Sequence, residues 1–240
     1  MSQPFIIAHR GASGNAPENT LVSFRKAMDA GADFLEMDVH LSKDGELVVM
    51  HDESVNRTTS GKGKIRNLTL AEIKNLDAGS WFSKNFEGLV VPALDEVFQL
   101  ANGKIKLLIE IKGTPEKYLD IEKKLVEMIY KYNAKSWCIL QSFDIDFLKN
   151  VHAIDAGVSL HYLIVGNLIF PSKIPEYIMA VNPNQNFVSK KKVEKLHLQN
   201  KKIFVWTVND EKKMKKLISY GVDGIITNYP EKLKNVIADK

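Results

Sequence analysis

Cysteine is almost absent from this chain: Cys138 is the only one among 240 residues. No intrachain disulfide and no cysteine-rich metal site can form. Cys138 sits between Trp137 and Ile139-Leu140, a setting that suits a buried strand rather than a nucleophile. Long apolar runs are missing too. None approaches the 18 or so residues of a membrane span, so no stable membrane insertion is expected. Residues 1–8 lack a basic leader and a cleavable apolar region, which argues against a signal peptide. A soluble, cytoplasmic protein is the expectation. No basic stripe interleaved with aromatics is present, so nucleic acid is not an expected partner. Gly11 and Gly14 have no third glycine in register, which excludes a dinucleotide fingerprint and leaves a turn between a strand and a helix. Linkers, low-complexity tracts and internal repeats are absent, so residues 1–240 are expected to form a single domain. The oligomeric state is not legible.

What is present is ordinary in bulk and specific in pattern. Hydrophobic content of 45% and charged content of 26% suit a globular protein. The net charge is a mild +4; local lysine clusters at Lys190-Lys191-Lys192 and at Lys212, Lys213, Lys215 and Lys216 read as solvated helix faces. Short apolar runs predict strands at about 5–9, 34–39, 105–112, 137–142, 158–164, 186–188, 202–207 and 223–227. Amphipathic spacing predicts helices over 19–30, 94–101, 116–132, 145–154, 174–180, 191–199, 211–220 and 230–237. Eight strands, each followed by a helix, predict an α/β protein of the (β/α)8 TIM-barrel class, for which this length is comfortable. Residues 40 to about 93 break the alternation and are too long for an ordinary loop. They are expected to form a small inserted subdomain, about 52–93, capping the C-terminal end of the second strand.

Barrel active sites lie at the C-terminal ends of the strands, and polar residues collect there. Asp44-Gly45 between two apolar runs predicts a two-residue hairpin with both turn positions at positive φ. Counting outward, Asp38 would face His51, and Glu36 would share the face of Asp38. Glu110 ends the next strand. Three crowded acids repel unless protonated or bridged by a cation, and all-oxygen ligation suits Mg²⁺ or Ca²⁺. Arg10 and Lys112 flank these acids and suit a phosphate substrate. His9 and His51, both at the mouth, can supply a base for an attacking oxygen and an acid for a leaving one. Trp206 is either a core aromatic or a wall of the substrate pocket. His40 is placed to line the insertion and His161 to touch substrate; His152 and His197 fall on helix surfaces.

Together these motifs resemble the glycerophosphodiester phosphodiesterase family. The resemblance rests on Ala8-His9-Arg10-Gly11 with Pro17-Glu18-Asn19-Thr20, on Glu36-Met37-Asp38-Val39, and on Asp44-Gly45 with His51-Asp52. It continues through Arg57-Thr58-Thr59, Leu76-Asp77-Ala78-Gly79, Val91-Pro92-Ala93-Leu94, Glu110-Ile111-Lys112, Ser142-Phe143, Trp206-Thr207-Val208-Asn209 and Asp223-Gly224-Ile225-Ile226-Thr227. It implies a (β/α)8 barrel with an insertion after the second strand. It also implies hydrolysis of small-molecule glycerophosphodiesters to sn-glycerol 3-phosphate and an alcohol. Glu36, Asp38 and Glu110 would bind a divalent cation, Mg²⁺ or Ca²⁺. His9 and His51 would form the acid–base pair, Arg10 and Lys112 would hold the phosphate, and Trp206 would border the glycerol. The alternative on the same barrel is a lysophospholipase D-type or sphingomyelinase D-type phosphodiesterase. Asn228 departs from the pattern, since many members carry Asp after the Thr, and is expected to affect only a peripheral contact. Glu18 and Asn19 are expected to order the loop that carries Arg10.

Overall fold

A computed structural model describes residues 3–166 and 174–239. The strands are β1 (Phe5–Ala8), β2 (Phe34–Leu41), β3 (Leu47–Val49), β4 (Lys106–Ile111), β5 (Cys138–Ser142), β6 (Ser159–Ile164), β7 (Ile178–Pro183), β8 (Lys202–Val205) and β9 (Gly224–Thr227). The α-helices are α1 (Leu21–Asp29), α2 (Leu70–Lys74), α3 (Leu94–Ala101), α4 (Ile121–Lys131), α5 (Ile145–Ile154), α6 (Lys190–Leu198), α7 (Glu211–Tyr220) and α8 (Pro230–Ala238). Eight strands pair in parallel in the order β1-β2-β4-β5-β6-β7-β8-β9, and β9 pairs back onto β1 to close the barrel. This is the (β/α)8 architecture that the alternation predicts. β3 stands outside the ring, antiparallel to β2.

The barrel is filled from the bottom by apolar side chains. Ile7, Phe34, Leu108, Phe204 and Ile226 are buried together in its interior, with Phe5 and Ile139 packed against them. Phe34 meets both Phe5 and Phe204 edge to face, at 5.4 and 5.9 Å between ring centres. A larger apolar layer lies between the strands and the outer helices, where Phe24, Phe98, Leu125 and Phe147 are buried. None of the helices among the described residues is long and apolar enough to cross a membrane.

Two sequence expectations are corrected. The strand expected at 186–188 is a 3-10 turn, Gln185–Phe187, and the helix expected at 174–180 is replaced by β7 over Ile178–Pro183. β7 is buried at every position but Met179, and a short, mostly apolar run carries no regular two-residue alternation to tell it from a helix. Between β6 and β7 the described residues form no helix.

The hairpin is the second correction. Only Gly45 takes a positive φ, and the loop is three residues long, with Ser42 opposite Glu46. The Asp44 carboxylate accepts bonds from the Ser42 hydroxyl (2.6 Å) and the Leu70 N–H (3.0 Å), which ties it into a loop of this length. The register therefore slips by one. Val39 pairs with Val49, and the Met50 N–H donates to the Asp38 carbonyl, so His51 is not the residue across from Asp38.

Beyond β3 lie α2 and two 3-10 turns, and an apolar cluster joins Val48 of β3 to Met50, Val55, Ile65, Ile73, Ala78 and Val91. Met50 turns into that cluster. The next residue, His51, is left at the barrel mouth.

The interior layer carries a direct test. Phe34→Ala is expected to cost about 3–5 kcal/mol, read as a lower urea midpoint at unchanged slope. A loss below about 1 kcal/mol, the range of a substitution that leaves no cavity, would show that these rings do not fill the barrel.

Candidate active site

Residues two apart on a strand share a face, and that period builds the site directly on the apolar floor. Above Ile7 comes His9, above Phe34 come Glu36 and Asp38, above Leu108 come Glu110 and Lys112, and above Ile139 come Gln141 and Phe143. Above Phe204 comes Trp206, and above Ile226 comes Asn228. The parallel register sets Asp38 beside Glu110, and Glu110 beside Gln141.

The three acids meet. Glu36, Asp38 and Glu110 are buried, with one oxygen of each within 4.8 Å of the others. Glu36 accepts from the Arg10 backbone N–H (2.9 Å) and from Gln141 Nε2 (3.1 Å). Asp38 Oδ2 accepts from Asn19 Nδ2 (2.9 Å) and lies 3.3 Å from Arg10 Nε. Lys112 Nζ bonds Glu110 Oε1 at 2.7 Å and lies 3.5 Å from Asp38 Oδ1. That Asp38 oxygen accepts no hydrogen bond although it is buried.

Charge and dryness split the three. Burial, followed by the neighbouring Asp38 and Glu110 charges, pushes Glu36 well above the ordinary carboxylate range. Burial and the Asp38 charge push Glu110 up to about 7. Burial would raise Asp38 as well, but Lys112 and Arg10 hold it below its usual value. Two reluctant carboxyls beside one firm carboxylate, all oxygen donors and one of them with an unbonded lone pair, fit a divalent cation.

Arg10 reaches this position through a costly backbone. Its φ is +55°, a region that costs of order 1–3 kcal/mol outside glycine. Besides the N–H bond to Glu36, its carbonyl accepts from the Asn19 N–H and from Ser23 Oγ, both at 3.0 Å. Gly11 follows because a Cβ there would lie 2.3 Å from Ser23 Oγ. Glu18 and Asn19 order this loop, and Asn19 does more: it bonds an acid of the cluster directly. Local sequence carries no sign of that contact, because Asp38 lies on another strand.

A chain of alternating charge runs out to the second histidine. Glu18 pairs with Arg10 at 2.9 Å and with Arg57 at 2.7 Å; Arg57 grips Asp52, and Asp52 Oδ1 lies 2.8 Å from His51 Nδ1. The bond from Arg57 keeps Asp52 ionised, well below its usual range. An ionised carboxylate only accepts, so His51 Nδ1 carries a proton. The His51 backbone is held by buried His40: His40 Nε2 donates to the His51 carbonyl (3.0 Å), and Tyr118 OH donates to His40 Nδ1 (2.8 Å). His40 thus supports His51 from behind.

His9 is set differently. Its Nδ1 lies 2.7 Å from Asn228 Oδ1. Burial of the ring and the adjacent Arg10 cation lower its pKa to about 4. The contact with Asn228 corrects the expectation that this position is peripheral. His161 is also corrected: it lies buried beneath the site, against the Phe204 ring at 4.8 Å and Asn182 at 3.3 Å, and does not line the cavity.

The cavity measures about 220 Å³ and has two sides. His9, Arg10, Glu36, His51, Glu110 and Lys112 form the charged side, and Phe143, Leu163, Trp206 and Ile226 the apolar one. Trp206 packs on the interior cluster, donates to the Asn182 carbonyl at 2.7 Å, and lines the cavity edge to face with Phe143.

Cations and imidazoles around a buried acidic cluster, at the mouth of a (β/α)8 barrel, define a barrel hydrolase of phosphate esters. The chain belongs to the glycerophosphoryl diester phosphodiesterase family, whose model matches residues 9–232, and it is an enzyme of that family. It is similar to a glycerophosphodiester phosphodiesterase of Caldanaerobacter subterraneus subsp. tengcongensis, 42% identical over 235 residues, 97% of each chain. A glycerophosphodiester phosphodiesterase of Bacillus altitudinis is 36% identical over 233 residues, 95% of each. Among solved structures, the chain is similar to an Oleispira antarctica phosphodiesterase in complex with the product sn-glycerol-3-phosphate. That pair has a TM-score of 0.91 at 31% identity, covering 98% of this chain and 97% of the other.

The raised Glu110 gives a signed pH effect. Its protonated form is favoured in the folded state, so the stability it contributes is complete below the unfolded pKa and is lost as pH rises through about 7. Glu110→Gln, which mimics the protonated acid, is expected to melt at a higher temperature than the parent in chelator at pH 8. The gain should vanish by about pH 5, near the ordinary carboxyl range. Equal melting temperatures at pH 8 would contradict the assignment.

Proposed function

We propose that the enzyme hydrolyses glycerophosphodiesters to sn-glycerol 3-phosphate and an alcohol by acid–base catalysis between His9 and His51. The observation that carries this reading is the unequal backing of the two imidazoles at one cavity, an amide behind His9 and a carboxylate behind His51. His9 is kept neutral by its surroundings and is suited to take the proton from the attacking hydroxyl, of water or of the glycerol itself. Asp52 fixes the His51 ring through Nδ1, and that ring is assigned the role of protonating the departing alkoxide. Arg10 and Lys112 reach the phosphoryl oxygens from opposite sides of the acidic cluster. The apolar side of the cavity, with Trp206, takes the carbon face of the glycerol.

Glu36, Asp38 and Glu110 would hold the divalent cation, Mg²⁺ or Ca²⁺ by their all-oxygen donor set. When bound, it supplies positive charge at the phosphoryl oxygens. The complex of the Oleispira relative with the product sn-glycerol-3-phosphate supports this reading of the product, and a role in lipid and glycerol metabolism is proposed with it.

His9→Ala and His51→Ala are each expected to lower turnover by at least ~10²-fold, with melting temperature nearly unchanged. Glycerol 3-phosphate release from glycerophosphocholine is the measurement; near-normal rates in both variants would remove the acid–base pair. Lysophosphatidylcholine belongs in the same panel, because Phe143 at the rim of the apolar side is 40% exposed. A faster rate on it would favour the lysophospholipase D-type alternative.

Chelation is expected to abolish turnover, with recovery on addition of Mg²⁺ or Ca²⁺. Cation at about a hundredfold excess over Kd should add about 2.7 kcal/mol, a rise of roughly 5–10 °C in Tm for a chain of this size. Full activity after exhaustive chelation would contradict the cation role.

A further inference from the structure

Of two strand ends marked in the sequence, Trp206-Thr207-Val208-Asn209 and Thr227-Asn228, the reading above uses only Trp206 and the contact of the Asn228 amide with His9. The fold joins them behind His9. Asn209 Oδ1 accepts from the Asn228 backbone N–H at 2.9 Å and from Thr227 Oγ1 at 3.1 Å. Thr227 Oγ1 accepts in turn from the Tyr229 N–H at 3.1 Å. The Asn228 carbonyl accepts from the Gly14 N–H, and the His9 N–H donates to the Thr227 carbonyl, both at 2.9 Å. Both backbone polar groups of Asn228 are therefore engaged, and its side chain is delivered to His9 from a fixed base. Its Oδ1 stands 2.7 Å from His9 Nδ1.

We propose that Asn228 is a positioning residue for His9, whose amide oxygen keeps the ring proton on Nδ1 and leaves the Nε2 lone pair free for the substrate. The proposal rests on the reading of His9 as the base. A neutral imidazole has one N–H and one lone pair, and the partner of one nitrogen decides the state of the other. An acceptor at Nδ1 makes Nε2 basic; a donor there would move the proton to Nε2 and leave His9 unable to accept one. The two ends of an amide are equal in size, so its partners, not its shape, set which end faces the ring. An amide oxygen also selects the tautomer without favouring the imidazolium, as a carboxylate would. The charged groups acting on the ring are Arg10 beside it, Asp38 on β2 and Glu18 ahead of α1. Among these three, the two carboxylates are already paired with Arg10, so the tautomer falls to Asn228.

The test uses the full-length protein with glycerophosphocholine as substrate and three variants: Asn228→Asp, Asn228→Leu and His9→Ala. An ionised carboxylate can only accept, so Asn228→Asp retains the tautomer, whereas Asn228→Leu provides no partner. Expected is a kcat loss of ~10²-fold or more for Asn228→Leu and of less than about tenfold for Asn228→Asp, with KM moving little in either. Imidazole ¹⁵N shifts, with His9 assigned by its absence in His9→Ala, should report a protonated Nδ1 and an unprotonated Nε2 in the parent. Asn228→Asp being as slow as Asn228→Leu, or Nε2 carrying the proton in the parent, would overturn the proposal. A side chain that merely filled space would be replaced by Leu as well as by Asp. If Asn228→Leu fails to fold, the Asp variant and the parent spectrum still decide. His9→Ala separates the two levels: normal turnover there sinks the base assignment itself, while an inactive His9→Ala confines any failure to Asn228.

Discussion

Three carboxylates forced together in a dry barrel mouth are the constraint to which the rest of the site answers. Like charges a few ångströms apart repel strongly where water cannot screen them, and desolvation adds to the cost. The chain answers with cations placed from two strands. Arg10 comes from β1 through a strained left-handed turn, and Lys112 comes from the end of β4. The compensation is incomplete, since Glu36 and Glu110 still favour their protonated forms. Acids left unsettled in this way are compatible with a divalent cation.

The same constraint explains the reach of the surrounding network. Arg10 cannot serve Asp38 without a fixed guanidinium, so Glu18 holds its other face; Glu18 in turn is shared with Arg57, and Arg57 with Asp52. Each link alternates in sign, and the last one orients His51. The segment after β3 belongs to this network. It carries both ends of the Asp52–Arg57 pair and anchors itself through Met50 in an apolar cluster separate from the barrel core. His40 and Tyr118 close the far side, so that the position of His51 is determined from the barrel, the insertion and the loop after β4 together. Below, the aromatic floor keeps water away from the acids and gives every charged contact above it more weight.

The hairpin brings His51 to the barrel mouth by a register other than the one its turn residues suggest. Asp44-Gly45 does mark the turn, but the Asp44 carboxylate finds the Ser42 hydroxyl and the Leu70 N–H, and the loop takes a third residue. The expected partner of Asp38 moves by one. His51 still joins the acids, because the chain leaves the ladder after Val49 and turns at the mouth. Asn228 shows the reverse error. Its place at a strand end is evident in the sequence, yet nothing local indicates that the neighbour across the closed seam is His9, 219 residues away.

The division follows from range. Alternation of short apolar runs with amphipathic segments, and the polar residues that end each run, depend on neighbours two to four positions away; from these come the barrel class, the acids at 36, 38 and 110, the cations at 10 and 112, and both histidines. Where a short run is mostly apolar, as in β7, that signal weakens and strand and helix are not told apart. Contacts across the barrel are of another kind. Which nitrogen of His9 meets Asn228, how deep His161 lies, and how Asn19 comes to hold Asp38 were set when β9 closed on β1 and the loops packed over the mouth. No short window contains both partners of such a pair, so their meeting is a property of the folded chain.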